Sequence, residues 1–319
     1  MKNYNDKQVV FILLGPTGIG KTKLSLKLAK QMNNIEIISA DSMQIYKYMN
    51  IGTDKPNQTI LSTIKHHMVD IIEPDKNFDV SQYCEIATEA LLDVFSRKKI
   101  PLLVGGTGLY ISSMISPLFS GPGKDLKFRR VFNKIANKRG VNYLHEKLSV
   151  IDPVCANQIH SNDLQRIIRA LEVYKITGKT ISTLRKNNAV KNKYFNFYIF
   201  GFYRKRETIY KKINIRVDNM IELGLIDEVK ALRKIGYKDD LNSMQGLGYK
   251  QINRYLNGEY DRDTAINRIK IDTRHYAKRQ MTWFKNKIKD VQWINLDQCE
   301  EDEILSQIEN KIKEIYKIY

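Results

Sequence analysis

Gly15-Pro16-Thr17-Gly18-Ile19-Gly20-Lys21-Thr22 decides how the rest of this chain is read. It follows the apolar run Val9-Val10-Phe11-Ile12-Leu13-Leu14, which reads as a buried strand, and precedes Leu24, Leu26, Leu28 and Ala29 in a segment that reads as a helix. Strand, glycine loop and helix in that order turn a GxxxxGK[ST] match into a phosphate cradle. Gly15, Gly18 and Gly20 let the backbone bend so that several N–H groups face one anion. Lys21 adds a mobile positive charge, Thr22 a hydroxyl for Mg²⁺, and the helix start a partial positive charge. The plain alternative is a glycine-rich turn without a ligand; the flanking strand and helix argue against it.

Working outward, Ile35-Glu36-Ile37-Ile38-Ser39-Ala40 reads as a second strand ending at Asp41-Ser42, and Ile100-Pro101-Leu102-Leu103-Val104 as a third ending in Gly105-Gly106-Thr107-Gly108. Between them Met43 to Met49 looks like a short helix, Gly52-Thr53-Asp54-Lys55-Pro56 a polar loop, and His66 to Ile72 a short strand. Asp79 with Gln82 forms a capping box for a helix running through Ile86, Ala90, Leu91 and Phe95. This alternation predicts an α/β fold with a parallel sheet flanked by helices, of the P-loop NTPase type. Ligands of such sheets lie at the carboxyl ends of the strands, so Asp41 is expected to share a crevice with the phosphate loop. Asp41 could instead simply cap the Ser42 segment.

The chain has 319 residues, with 53 Lys plus Arg against 35 Asp plus Glu and a formal charge of +18. Such an excess suits a polyanionic partner, nucleic acid before membrane, or equally a solvated lysine-rich surface. Cys84, Cys155 and Cys299 form no CxxC pair, and the histidines are scattered apart from His66-His67, which argues against a zinc site or a disulfide framework. No apolar run reaches spanning length and the first residues carry no signal-peptide core, so a cytoplasmic protein with no membrane partner is expected.

After residue 117 the pattern changes. Residues 118–193 show helical periodicity alone and read as a helical insertion domain between a first core part, 1–117, and a return to the core, 194–319. Within the insertion Leu164, Ile167, Ile168 and Leu171 mark an apolar helix face, with Asp163, Arg166 and Arg169 along one edge. Phe195 to Phe202 returns to strand character, a helix from Glu207 to Leu223 offers Arg216, and Met244 to Gln251 is a glycine-punctuated loop leading into a helix. Arg262 to Lys289 is strongly basic with interleaved aromatics: a solvated helix face, or a phosphate-tracking stripe if that face borders the crevice. Val291 to Leu296 reads as a last strand, and Ile304, Ile308, Ile312 and Ile315 as a packing face of a final helix.

A phosphate loop alone implies a phosphorylated ligand and the nucleotide-binding, ATP-binding class. The third strand, however, ends without the acid an ATPase would place there for its metal, and Asp41 is the one carboxylate expected at the crevice. A lone carboxylate facing a phosphate site suits a general base for a nucleophile on a second substrate.

Taken in order, Gly-Pro-Thr-Gly-Ile-Gly-Lys-Thr, Ile-Ser-Ala-Asp-Ser-Met-Gln-Ile-Tyr, Gly-Thr-Asp-Lys-Pro, Gly-Gly-Thr-Gly-Leu-Tyr, Asp-Leu-Gln-Arg-Ile-Ile-Arg-Ala-Leu-Glu-Val, Gln-Gly-Leu-Gly-Tyr-Lys-Gln and Ala-Lys-Arg-Gln-Met-Thr-Trp-Phe resemble the tRNA dimethylallyltransferase family over nearly the whole chain. The resemblance implies a P-loop fold that holds dimethylallyl diphosphate and passes its prenyl group to the exocyclic amine of the adenosine 3′ of the anticodon. It implies Asp41 as general base, Thr107 as donor to the bridging oxygen of the leaving diphosphate and Arg216 as cationic clamp. Gly15, Pro16, Thr17, Gly18, Ile19, Gly20, Lys21 and Thr22 would hold the diphosphate, with Mg²⁺ at Thr22.

Contacts to the tRNA anticodon stem-loop are implied for Asp41, Ser42, Met43 and Gln44, for Gln165, Arg166, Ile167, Ile168 and Arg169, and for Gln245, Gly246, Leu247, Gly248, Tyr249, Lys250 and Gln251; Arg129 is a further match. Gly18-Ile19 departs from the family's common Ala-Ser, losing a hydroxyl but keeping the backbone cradle. A monomer is expected. Three rivals stay open: a P-loop small-molecule kinase, a non-catalytic RNA-binding nucleotide switch, and a prenyltransferase of free adenine nucleotides. Phosphate transfer from ATP, RNA binding without product, or product on free nucleotide would distinguish them.

Overall fold

The computed structural model describes residues 7–116, 121–187 and 192–317. Met1–Ile115 with Tyr194–Tyr319 form one compact unit and Ser116–Lys193 a second; the 117/118 boundary expected from sequence falls outside the described residues. The first unit is built on β1 (Gln8–Leu14), α1 (Lys21–Met32), β2 (Ile35–Ala40), α2 (Gln58–Thr63), β3 (His66–His67), α3 (Val80–Ser96), β4 (Ile100–Gly105) and α4 (Gly108–Ile115). The second holds α5 (Leu126–Arg139), α6 (Val141–Ile151), α7 (Pro153–Ala156), α8 (Leu164–Thr177) and α9 (Ile181–Asn187). The chain then rejoins the first through β5 (Phe195–Tyr203), α10 (Arg206–Glu222), α11 (Leu225–Lys234), α12 (Tyr249–Leu256), α13 (Arg262–Lys287), β6 (Val291–Asn295) and α14 (Glu301–Tyr316).

The six strands lie in the order β3-β2-β4-β1-β5-β6, with every pair parallel. Parallel strands covered by helices on both faces carry continuous apolar runs, and Val10 to Leu14 of β1 are wholly buried. Alternate residues feed two cores. Phe11 and Leu13 pack with Leu24 and Leu28 of α1 and Ile304, Ile308 and Ile312 of α14, while Val10, Ile12 and Leu14 pack with Tyr83, Ala87 and Leu91 of α3. Each of the buried Val, Leu, Ile and Phe side chains among these contributes about 1.5–3 kcal/mol of transfer free energy. The Asp79–Gln82 capping box forms as its sequence predicts, starting α3 at Val80.

Two local readings are corrected. Residues 43–49 are not a helix: Tyr46 forms a parallel bridge with Ile72, and Ile71 N donates to Ile45 O and Lys47 N to Ile72 O. Those cross-chain bonds displace the helical ones. For the same reason the strand expected over 66–72 shrinks to His66–His67 plus this bridge.

In the second unit, Leu144, Leu148, Ile167, Ile168 and Leu171 form a helical core. Asp163 caps α8, accepting from Arg166 N at 3.2 Å.

Candidate active site

Strands β2, β4 and β1 are neighbours, so their carboxyl ends deliver Asp41, the Gly106-Thr107 turn and the phosphate loop side by side. In the loop, Gly18 (φ 76°) and Gly20 (φ 111°) adopt left-handed backbone, which favours glycine. A β-carbon on Gly18 would also stand 2.9 Å from Ile213 of α10. Gly20 stands at the N-cap of α1, and among the described residues no side chain caps that helix start. Its first-turn N–H groups therefore face the loop, which is the geometry of an anion site. Pro16 O accepts from Ile19 N, which closes the turn.

Lys21 Nζ donates to the carbonyls of Gly15 and Pro16, each at 2.9 Å. Burial pulls its pKa down to about 7; Asp41 pulls it up, Arg216 pushes it down and Asp54 pulls it up. The ammonium thus lacks a full counter-charge, which an anion held in the loop would supply. Arg216 reaches over from α10, its Nη1 donating to Thr17 Oγ1 at 2.9 Å and lying 3.4 Å from Asp54 Oδ2. Asp54 corrects the sequence reading: it is a second carboxylate at the crevice, brought there by the Gly52–Pro56 loop. That loop is anchored by Glu228 of α11, whose carboxylate accepts from Asn50 N, Ile51 N, Gly52 N and Tyr249 Oη. Lys55 ties it further to Asp70 at 2.5 Å.

On the opposite wall, Asp41 Oδ1 accepts from Met43 N at 2.8 Å and Gln44 N at 3.4 Å. This is the capping role, performed by one oxygen; Oδ2 has no protein donor among the described residues. Thr107 N donates to Ala40 O and Thr107 Oγ1 accepts from Ser42 N at 3.0 Å, leaving its own proton to donate. Gly105 is required here because a β-carbon would collide with Ala40 O. Two residues of α13 that the sequence reading left in a basic stripe also enter the site. Gln280 bonds the phosphate loop, and Tyr276 lies beside Thr107 and Gln280, its phenol pushed up to about 12 chiefly by burial.

The expected RNA contacts divide. Gln165 and Arg166 project from α8 to solvent, whereas Ile167 and Ile168 are core residues of the insertion. Arg129 and Arg169 both donate to Glu172, which is 0 % exposed, and Arg169 also to Pro122 O. Burial raises the Glu172 pKa, but hydrogen bonds from Arg129, Arg169 and Asp125 N outweigh it and hold it at about 2. Both arginines are thus paired with a buried carboxylate that demands them, and neither is an unengaged surface cation. Glu172→Ala would leave two half-buried guanidiniums uncompensated and should cost about 3–5 kcal/mol, read from the denaturation midpoint.

Around α12, Gln245 and Lys250 are exposed and Gly246 and Leu247 partly so, while Gly248, Tyr249 and Gln251 are buried. Tyr249 supports Gly52, whose β-carbon would lie 2.5 Å from its ring, and Gln251 bonds Asp272 at 2.8 Å. Met43 packs on Gly246, joining this segment to Ser42 and Gln44; Gln44 in turn bonds Ser39 and the carbonyls of Thr53 and Asp54.

Residues 44–287 match the family described as IPP transferase. The chain belongs to that family. A tRNA dimethylallyltransferase of Halothermothrix orenii is 47% identical over 96% of this chain and 93% of its own length. The structure resembles a full-length tRNA isopentenylpyrophosphate transferase from Bacillus halodurans, with TM-score 0.70 and 39% identity over 96% of each chain. It also resembles a eukaryotic dimethylallyltransferase acting on tRNA, with TM-score 0.82 and 27% identity over 96% of this chain and 80% of that one. The P-loop-like parallel fold read from the first residues is therefore that of the IPP transferases.

Within this IPP transferase, Ile19 is buried against Gly15 in the sheet core. Among the described residues no cluster of three or more His, Cys, Asp or Glu could hold a metal ion, and no helix is long and apolar enough to cross a membrane.

Proposed function

We propose that this IPP transferase moves the dimethylallyl group of dimethylallyl diphosphate to the exocyclic amine of the adenosine 3′ of the tRNA anticodon, giving isopentenyladenosine and diphosphate. The observation that carries the reading is the pairing of a lysine- and arginine-lined phosphate loop with a facing carboxylate, Asp41, whose Oδ2 is open.

The diphosphate rests in Gly15 to Thr22, on the α1 start, Lys21 and Arg216. The amine nitrogen attacks the allylic C1, the C1–O bond breaks, and its electron pair leaves on the diphosphate. Negative charge grows on the departing oxygen, so Lys21, Arg216 and the Thr107 hydroxyl gain strength as the bond stretches. The amine proton passes to Asp41 Oδ2 as the C–N bond forms. Exposed Thr22, at the end of the loop, fits a Mg²⁺ held mainly by substrate phosphates and water, since such ions seldom need an all-protein cage. That ion would neutralise diphosphate charge.

The target base must be turned out of the anticodon loop. Ser42, Gln44, Gln165, Arg166, Gln245 and Lys250 are the exposed or half-exposed candidates to receive the RNA. Exposed Arg268, Lys278 and Arg279 extend a cationic face along α13, and Arg279 stands 5.9 Å from the Tyr276 ring centre. The face therefore borders the crevice, which favours the phosphate-tracking stripe over a merely solvated one. Removing one phosphate-contacting cation should lower the slope of log K against log salt by about 0.7–0.9; filter binding of Arg279→Ala across a salt series checks this. A cytoplasmic monomer completes the proposal.

Incubation with labelled dimethylallyl diphosphate and unmodified tRNA, followed by nucleoside mapping, tests the reading. Label on the adenosine 3′ of the anticodon is expected. Phosphate transfer from ATP, or tight RNA binding without product, would replace it with a rival.

A further inference from the structure

Gln280 is the one side chain seen to bond both the phosphate loop and the Thr107 turn among the described residues. Its Oε1 accepts from Thr17 N at 2.8 Å and its Nε2 donates to Gly106 O at 2.7 Å. It is 6 % exposed; its bond to Gly106 O is buried and that to Thr17 N partly so, and the amide itself cannot be left unpaired cheaply. A β-carbon on Gly106 would collide with Nε2, and one on Gly108 with the Trp283 indole. Tyr276, Gln280 and Trp283 sit four and then three residues apart, which places them on one face of α13. That face therefore lies along the whole Gly106–Gly108 turn. Thr17, bonded at its N–H by Gln280 and at its hydroxyl by Arg216, is the point where helix, clamp and loop meet.

We propose that Gln280 is a positioning residue: it registers the phosphate loop against the Thr107 turn, so that the diphosphate held by one and the hydroxyl carried by the other meet at the same C–O bond. The inference rests on the reading that the loop holds a diphosphate whose bridging oxygen faces Thr107. It follows from geometry that catalysis punishes: misplacement by about 1 Å costs roughly 10²-fold. Nothing else in Gln280 is suited to the reaction, since an amide neither carries charge nor titrates.

The test compares the full chain with Gln280→Met, Gln280→Glu, Thr107→Val and the Gln280→Met/Thr107→Val double variant, each with dimethylallyl diphosphate and unmodified tRNA. Gln280→Met keeps the shape and should lower kcat about 10²-fold, with the KM for dimethylallyl diphosphate within a few-fold. The double variant should be about as slow as Thr107→Val, because groups that act together are non-additive. Multiplied losses, or a kcat near wild type, would overturn the proposal. Gln280→Glu keeps the acceptor for Thr17 N but can donate to Gly106 O only when protonated, so its rate relative to wild type should rise as pH falls. A flat ratio would overturn the proposal even if Gln280→Met failed to fold. Failure of the underlying reading looks different: wild type gives no prenylated tRNA, or Thr107→Val is as fast as wild type.

Discussion

Asp41→Asn lowers the rate of prenyl transfer by roughly 10²-fold or more, the usual worth of a general base, and leaves tRNA affinity close to wild type. Asparagine is the informative replacement because Asp41 has two tasks. Its Oδ1 accepts from Met43 N and Gln44 N and so shapes the turn that follows β2. The amide oxygen of asparagine can still do that, but its NH₂ cannot take a proton from the incoming amine. Asp41→Ala loses both tasks and should add a drop in RNA affinity, since Ser42, Met43 and Gln44 would no longer be held. Single-turnover rates with filter-binding constants separate the two. An Asn variant with near-normal turnover would reduce Asp41 to a turn cap.

Lys21→Met is the second large effect. Loss of a preorganised cation at the departing diphosphate should lower kcat/KM by about 10²–10³-fold. The environment of Lys21 adds a pH signature that a surface lysine would not have. With its pKa pulled down to about 7, first by burial, the free protein carries the charge below that pH and loses it above. A bound diphosphate favours the charged form and raises the pKa. Binding above pH 7 therefore takes up a proton, and the dissociation constant for pyrophosphate should rise by up to about tenfold per pH unit there. Below pH 7 this contribution is flat. Titration calorimetry of wild type between pH 7 and 9 should show the rise, and Lys21→Met should lack that component. An equal slope in both proteins would remove Lys21 from the anion site.

Most of the frame was legible in the chain itself. The apolar run before Gly15, the run before Asp41 and the run before Gly105 each became a strand of one parallel sheet, because doubly covered strands must be continuously apolar. Once those strands are parallel neighbours, their carboxyl ends necessarily bring the phosphate loop, Asp41 and Thr107 together. The start of α3 was equally plain, since Asp79 acts on backbone a few residues away; Asp163 reads as part of a charged edge, and its capping of α8 appeared only in the structure. Residues 43–49 misled because their partners, around Ile72, lie beyond any local window.

The sequence by itself determined the sheet, its glycine loop, the place of Asp41 beside that loop and the family. Tertiary structure alone decided which charges were free to meet a ligand. Arg129 and Arg169 look available in the chain, but Glu172 is buried between them and consumes both. Asp54 and Gln280 look ordinary there, yet the folded chain sets one beside Arg216 and the other between Thr17 and Gly106. The physical reason is one of range: strand and helix patterns arise from neighbours in sequence, whereas the pairing of a buried polar group depends on what the fold brings to it.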